Sequence, residues 1–226
     1  MSDTNYLPDG LRFIFKTSPY HFFPIQLKVL EKIRRETNKN DDSVAVNILT
    51  ITSCTAFLES ILFESLTAVV SAKRNEASDE LIKNLLLKVE RNISSATFKD
   101  FEAISQDILG FSLNKFIKNE TWEAIKMLFS LRNQAVHGKV LSIEYAYKEN
   151  SAIGIYGKNY EPIIKYLLKM KLISYKDVNM STIFGDEVTY FFIKNTKECF
   201  IDLTKNISNK FSTDTYKAFA HLRNDF

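Results

Sequence analysis

A chain of 226 residues with 45% apolar and 13% aromatic side chains can bury a real core, which excludes a globally disordered protein. Six glycines and four prolines are too few for a turn-rich β-sandwich and favour long helices. With 30 basic and 27 acidic residues the net charge is only +3, so nothing here coats nucleic acid by charge alone, and any such contact must be local.

In chain order, residues 1 to 23 read as an arm. "LRFIFK" alternates like a strand, and "SPYHFFP" is punctuated by Pro19 and Pro24. The polar start "MSDTNYLPDG" is unlike a secretory signal. Residues 25 to 36 carry Leu27, Leu30 and Ile33 at helical spacing, and "TNKNDD" ends that helix. Asp41, Asp42 and Ser43 then offer caps for a long helix reaching about Ala72. Along it Ile48, Ile51, Thr55, Leu58, Leu62, Leu66 and Val69 recur at three- and four-residue steps. Its run "ILTITSCTAFLESILF" is the longest apolar stretch, but Thr, Ser and Glu59 interrupt it, which disfavours a membrane span.

Ser78 and Asp79 are caps for a helix with Leu81, Leu85, Val89 and Ile93 four apart. "TFKDFEAISQDILG" is a shorter helix stopped by Gly110, and "SLNKFIKN" is a turn or short helix. "ETWEAIKMLFSLRNQAVHG" is again helical, with Trp122, Ile125, Leu128, Phe129, Leu131 and Val136 apolar and Gly138 in the stop position. Beyond Val140, "VLSIEYAY" and "SAIGIYG" are short β-prone pieces that suit a hairpin. "YEPIIKYLLKMKLIS" is helical with Pro162 in its first turn, and a loop reaches Phe184. "EVTYFFIKNTKECFIDLTKNISNKF" is a last long helix, or a strand leading into one, before a terminal piece, "TDTYKAFAHLRNDF". The expectation is one mainly α domain with a small β-hairpin or short strands in its C-terminal part.

Cys54 and Cys199 lie far apart in apolar surroundings and read as buried free thiols, consistent with a reducing cytoplasm. No CxxC, Gly-rich phosphate loop, HExxH, GxSxG or DxD pattern is present, so neither a metal nor another cofactor is expected. His21 and His221 stand in no motif.

The chemistry gathers in "LFSLRNQAVHGKVL". At about 100° per residue, Asn133 and His137 are i, i+4 neighbours on nearly one helix face, and Arg132 flanks the same arc. An asparagine so placed can hydrogen-bond the imidazole and fix its orientation. His137 falls where the last carbonyls and the helix dipole favour positive charge, which suits a group giving a proton to a leaving oxygen. Arg132 supplies a planar fork for phosphate oxygens. Together they fit RNA cleavage by transesterification, in which the ribose 2′-OH attacks the adjacent phosphorus without a metal. Cations also collect at helix ends simply to cap carbonyls, and spacing alone leaves both explanations open.

"RNQAVHG" closing an apolar helix resembles the R-x(4–6)-H signature of the HEPN superfamily, in its R-N-x-x-x-H form. "TAFLESILFESL" is similar to the first core helix of such domains, a long apolar helix with an embedded glutamate. The similarity covers roughly residues 43 to 140, with residues 1 to 42 as N-terminal arm and helix and 141 to 226 as a C-terminal extension. It implies an up-and-down helical bundle and a metal-independent ribonuclease of toxin–antitoxin, abortive-infection, CRISPR-associated or RNA-processing systems. Carried over, Arg132 and His137 take the catalytic positions and Asn133 the polar neighbour. The resemblance further implies a homodimer whose two motifs share one composite cleft, and leaves room for an antitoxin or activator protein. Members without activity serve as non-catalytic modules binding a protein or nucleotide, which is the rival expectation.

Glu59 lies on the long helix, with Glu64 five residues later, and would hold the Arg132 guanidinium across the bundle, unless it simply faces solvent. Residues 156 to 176 carry five lysines against one glutamate, interleaved with tyrosines, a pattern for stacking and phosphate contact with single-stranded RNA or for a solvated helix face. Lys139, Lys165 and Lys169 are the RNA-binding candidates.

Overall fold

A computed structural model describes residues 22–37, 40–110, 112–139, 141–148, 151–157 and 159–206, and most of these are helical. The arm with His21 and everything after residue 206, including His221, lie outside the described residues. In order come α1 (Phe23–Glu36), α2 (Asn40–Glu76), α3 (Glu80–Ile93), α4 (Phe98–Leu109), α5 (Asn119–Val136), α6 (Glu161–Lys169), the single turn α7 (Met180–Ile183) and α8 (Asp186–Asn206). A 3-10 turn at Leu113–Lys115 stands between α4 and α5.

α2 is the axis. Its 37 residues span about 55 Å, and α1, α3, α4, α5, α7 and α8 all lie against it. That encirclement explains why it is apolar on more than one face: Ile51, Cys54, Leu58, Ile61, Leu62, Leu66 and Val70 are all buried. The hydroxyls that interrupt the run are satisfied inside the helix. Thr50, Thr55 and Ser65 donate to the carbonyls of Val46, Thr52 and Ile61 at 2.8, 2.8 and 2.6 Å. By length and composition the stretch Asp42–Glu76 would cross a membrane, yet 61% of its apolar window is buried inside the fold, as in a core helix. The start of α2 corrects the capping expectation. Its described part is already helical from Asn40, so Asp41, Asp42 and Ser43 lie inside the helix and not ahead of it.

α1 docks through Phe23, stacked on Phe57 of α2 at 4.1 Å, and Phe57 in turn meets the Phe200 edge at 5.3 Å. Arg34 sits 4.3 Å over the Tyr190 ring and 3.7 Å from Asp186, tying the far end of α1 to the start of α8. The stretch "EVTYFFIKNTKECFIDLTKN" lies within one helix, α8, and has no strand at its start. Its Val188, Phe192, Ile193, Phe200 and Leu203 are buried against α2 and α5, so the C-terminal part contributes directly to the core.

Two helices differ from their periodicity. On α3, Asp79 is the N-cap and accepts from the Leu81 N–H at 2.7 Å, but Leu81 and Leu85 are exposed and only Ile93 of the four-residue stripe is fully buried. α3 packs mainly on α2, through Leu86, Val89 and Ile93, and Leu81 and Leu85 lie off that face. α6 ends at Lys169, earlier than its pattern suggests, because Lys171 turns the chain at φ +58°. Cys54 and Cys199 are free and buried. Burial pushes the Cys54 thiol up to about 12 and raises that of Cys199 too, which makes both poor nucleophiles.

Candidate active site

α5 has two functional faces. Trp122, Ile125, Leu128, Phe129 and Leu131 are buried, and the helix lies against α2 and α8. Lys126, Ser130, Asn133 and His137 recur at i, i+4, i+7 and i+11 and form a polar stripe. The helix stops at Val136, and His137 is its C-cap, at φ −86° and ψ 7°. Gly138 follows at φ +59°, with its N–H donating to the Ala135 carbonyl at 3.1 Å and the Lys139 N–H to that of Gln134 at 3.0 Å. This paired closure satisfies carbonyls that a helix end otherwise leaves open. It also fixes the backbone of the histidine. Nothing stands near a β-carbon added at Gly138, so Gly138→Ala is expected to cost about 1–2 kcal/mol from the left-handed backbone alone, read as a lower thermal midpoint.

Arg132 points toward the middle of α2. Its Nη2 donates to both oxygens of Glu59 at 2.8 and 2.9 Å, its Nε to the Thr55 hydroxyl at 3.3 Å, and its Nη1 to the Asn133 side-chain oxygen at 2.9 Å. The two oxygens of one carboxylate subtend only a narrow angle at Nη2, so one N–H there serves both, and three of the five guanidinium N–H groups are engaged among the described residues. Asn133 therefore braces Arg132 instead of holding the imidazole. A charged donor beside it is a stronger partner than a ring just past the last helical residue. The His137 side chain is exposed and makes no hydrogen bond or ion pair among the described residues.

Burial raises the Glu59 carboxyl above its ordinary range, against the pull of Arg132 and the hydrogen bonds from it. The folded state then binds the proton more tightly than the unfolded chain. Stability from protonated Glu59 is full below the free-carboxyl value of 4.5 and is lost as pH rises through the raised value. Thermal melts of wild type and Glu59→Gln should show the gap moving in favour of glutamine as pH increases across that window. Parallel pH profiles for the two would contradict this.

Glu59, Arg132, Asn133 and His137 share one cleft of about 790 Å³, walled by α5, the middle of α2 and the beginning of α4. Its size falls within the roughly 300–1,000 Å³ of ligand pockets. Behind it Phe98 of α4 stacks on Phe129 of α5 at 4.0 Å, with Trp122 at 5.4 Å from Phe98. Four of the residues singled out in the sequence thus come together. The other three do not line the cleft. Lys139 is exposed just past His137, Lys165 is ion-paired with Glu161 at 2.7 Å on α6, and Lys169 is exposed at the end of α6. Of the interleaved tyrosines, Tyr160 is buried and Tyr166 packs on the core, while Tyr175 is exposed. The cleft also holds Thr97, Lys99, Glu102 and Lys126, which carried no motif. Lys126 alone had a readable signal, its place on the stripe that ends at His137.

Among the described residues no group of three or more His, Cys, Asp or Glu could hold a metal ion. Comparison with protein-family models, with curated proteins and with solved structures gave no match.

Proposed function

We propose that the chain is a HEPN-like, metal-independent endoribonuclease that cleaves RNA by attack of the 2′-OH on the neighbouring phosphorus. The observation that carries this is the convergence of Arg132 and an exposed His137, without a side-chain partner among the described residues, on one open cleft. In the proposed reaction the P–O5′ bond breaks as the 2′-oxygen bonds to phosphorus, leaving a 2′,3′-cyclic phosphate and a 5′-hydroxyl. His137 hands a proton to the departing 5′-oxygen. An N–H of Arg132 outside these bonds meets the phosphoryl oxygen on which charge gathers, and Glu59 and Asn133 keep the fork aimed. One histidine cannot be acid and base in the same step, so a homodimer that places a second His137 across the cleft supplies the base. The same reading takes the fold as an up-and-down HEPN-like bundle bearing a small hairpin, β1 (Ile143–Lys148) against β2 (Ser151–Tyr156), antiparallel with Ile143 opposite Tyr156. It places the protein in the cytoplasm, in a toxin–antitoxin, abortive-infection or phage-defence setting, under an antitoxin or activator. The direct test is purified protein on single-stranded RNA in EDTA, alongside its mass in solution. Cleavage by a dimer supports the proposal, and an inert protein refutes it.

One observation favours the rival, a non-catalytic helical module that binds a protein or nucleotide. Arg132 is bound to both Glu59 oxygens at 2.8 and 2.9 Å, as a guanidinium that only ties α5 to α2 would be. Under that reading Arg132 variants lose stability and His137 variants change nothing.

A further inference from the structure

Lys99 stands where helix electrostatics works against it. It is the second residue of α4, after the Thr97 N-cap, in the turn where the helix dipole disfavours a cation. The neighbouring Asp100 carries the charge that suits this end and accepts from the Thr97 N–H and hydroxyl at 2.8 and 2.7 Å. Lys99 itself is exposed and has no hydrogen bond or ion pair among the described residues, and it lines the cleft that holds Arg132. Lys126 lines the same cleft from α5. The Phe98–Phe129 stack at 4.0 Å sets the first turn of α4, with Lys99, beside the part of α5 that carries Lys126. Among the described residues Lys126 pairs with Glu123 at 2.6 Å, a pair with both side chains 40% or more exposed that an incoming anion readily exchanges. The acidic groups of the cleft are engaged elsewhere, Glu59 on Arg132 and Glu102 as acceptor from the Ser112 hydroxyl at 3.4 Å.

We infer that Lys99 and Lys126 form a second phosphate-binding point, and that the substrate is a single RNA strand long enough to reach it. Lys126 lies eleven residues before His137 on the same stripe, about 16 Å along the helix axis, so the phosphate it meets is not the scissile one. The strand runs along α5 with its scissile phosphate at Arg132 and His137 and a phosphate further along it between the lysines. The two lysines are positioning residues, not catalytic ones. The inference rests on the nuclease proposal and adds to it a minimum substrate length and a direction of travel.

Binding of a fluorescent single-stranded RNA to the full-length His137→Ala protein reads this without cleavage. Adding Lys99→Ala or Lys126→Ala should each weaken binding, and both together should reduce the slope of log affinity against log salt by about 0.7, the share of one phosphate on a single strand. In the active protein the same changes should raise KM on an oligonucleotide at unchanged kcat, with Lys→Arg restoring it, and should leave a dinucleotide with a single phosphate unaffected. If RNA is bound and cut but neither the salt slope nor KM moves, the second phosphate point is wrong and the nuclease proposal stands. If the wild-type protein neither binds nor cuts RNA, the nuclease proposal fails and takes this inference with it.

Discussion

His137→Ala is expected to abolish RNA cleavage with an unchanged thermal melt, whereas Arg132→Ala should abolish cleavage and lower the melt as well. The difference comes from their partners. His137 is exposed, comes after the last helical residue and has no side-chain bond among the described residues, so its removal leaves the fold alone. Loss of a proton-transfer group costs about 10²–10⁴ in rate, and loss of a donor to the developing charge about 10²–10³. Arg132 also ties α5 to α2. Its side chain is 22% exposed and that of Glu59 30%, so truncating the arginine strands a half-buried carboxylate at about 1–3 kcal/mol. For a chain of this size each kcal/mol moves the midpoint by roughly 2–4 °C. Arg132→Ala combined with Glu59→Ala should recover part of the melt and none of the activity. A double variant that regains cleavage would place the arginine outside the chemistry. A His137→Ala protein that cuts like wild type would remove the histidine from it.

The largest effect on stability is expected from Trp122→Ala. Trp122 is 3% exposed, and its ring backs the Phe98–Phe129 stack that joins α4 to α5. A large aromatic removed from such a position leaves a cavity and costs about 3–5 kcal/mol. At roughly 2–4 °C per kcal/mol that is a fall of about 6–20 °C in the thermal midpoint. Because the stack forms the wall carrying Lys99, RNA affinity should weaken even below the melt, with the Arg132–Glu59 pair left in place. A Trp122→Ala protein with wild-type midpoint and affinity would mean that α4 is held by something other than this cluster.

The end of α5 was legible because three signals coincide there. The apolar period stops, Arg132, Asn133 and His137 cluster, and Gly138 supplies the left-handed turn. α6 closes with the same kind of backbone turn, Lys171 N–H to the Leu168 carbonyl and Leu172 N–H to that of Leu167, both at 3.0 Å. There a lysine takes the left-handed position, so no residue type marks the stop. On α3 the period identifies an amphipathic helix correctly. It says nothing of how many walls surround that helix, and Leu81 and Leu85 remain outside. Glu59 could be matched to Arg132 in advance because a carboxylate in an apolar run needs a partner. Lys99 could not be found in this way. Its significance lies in a cleft assembled from segments more than twenty positions apart, and in the dipole of a helix whose start had first to be located.

The central claim, transesterification through the 2′-OH, is tested most directly with two RNA strands of one sequence. One is all-ribo, and the other carries a single 2′-deoxy residue on the 5′ side of the preferred cut. Incubated with wild-type protein in EDTA, the all-ribo strand should be cut there and leave a 2′,3′-cyclic phosphate and a 5′-hydroxyl, while the substituted strand stays whole at that position. Cleavage of the deoxy-substituted bond, or ends bearing a 5′-phosphate, would contradict it.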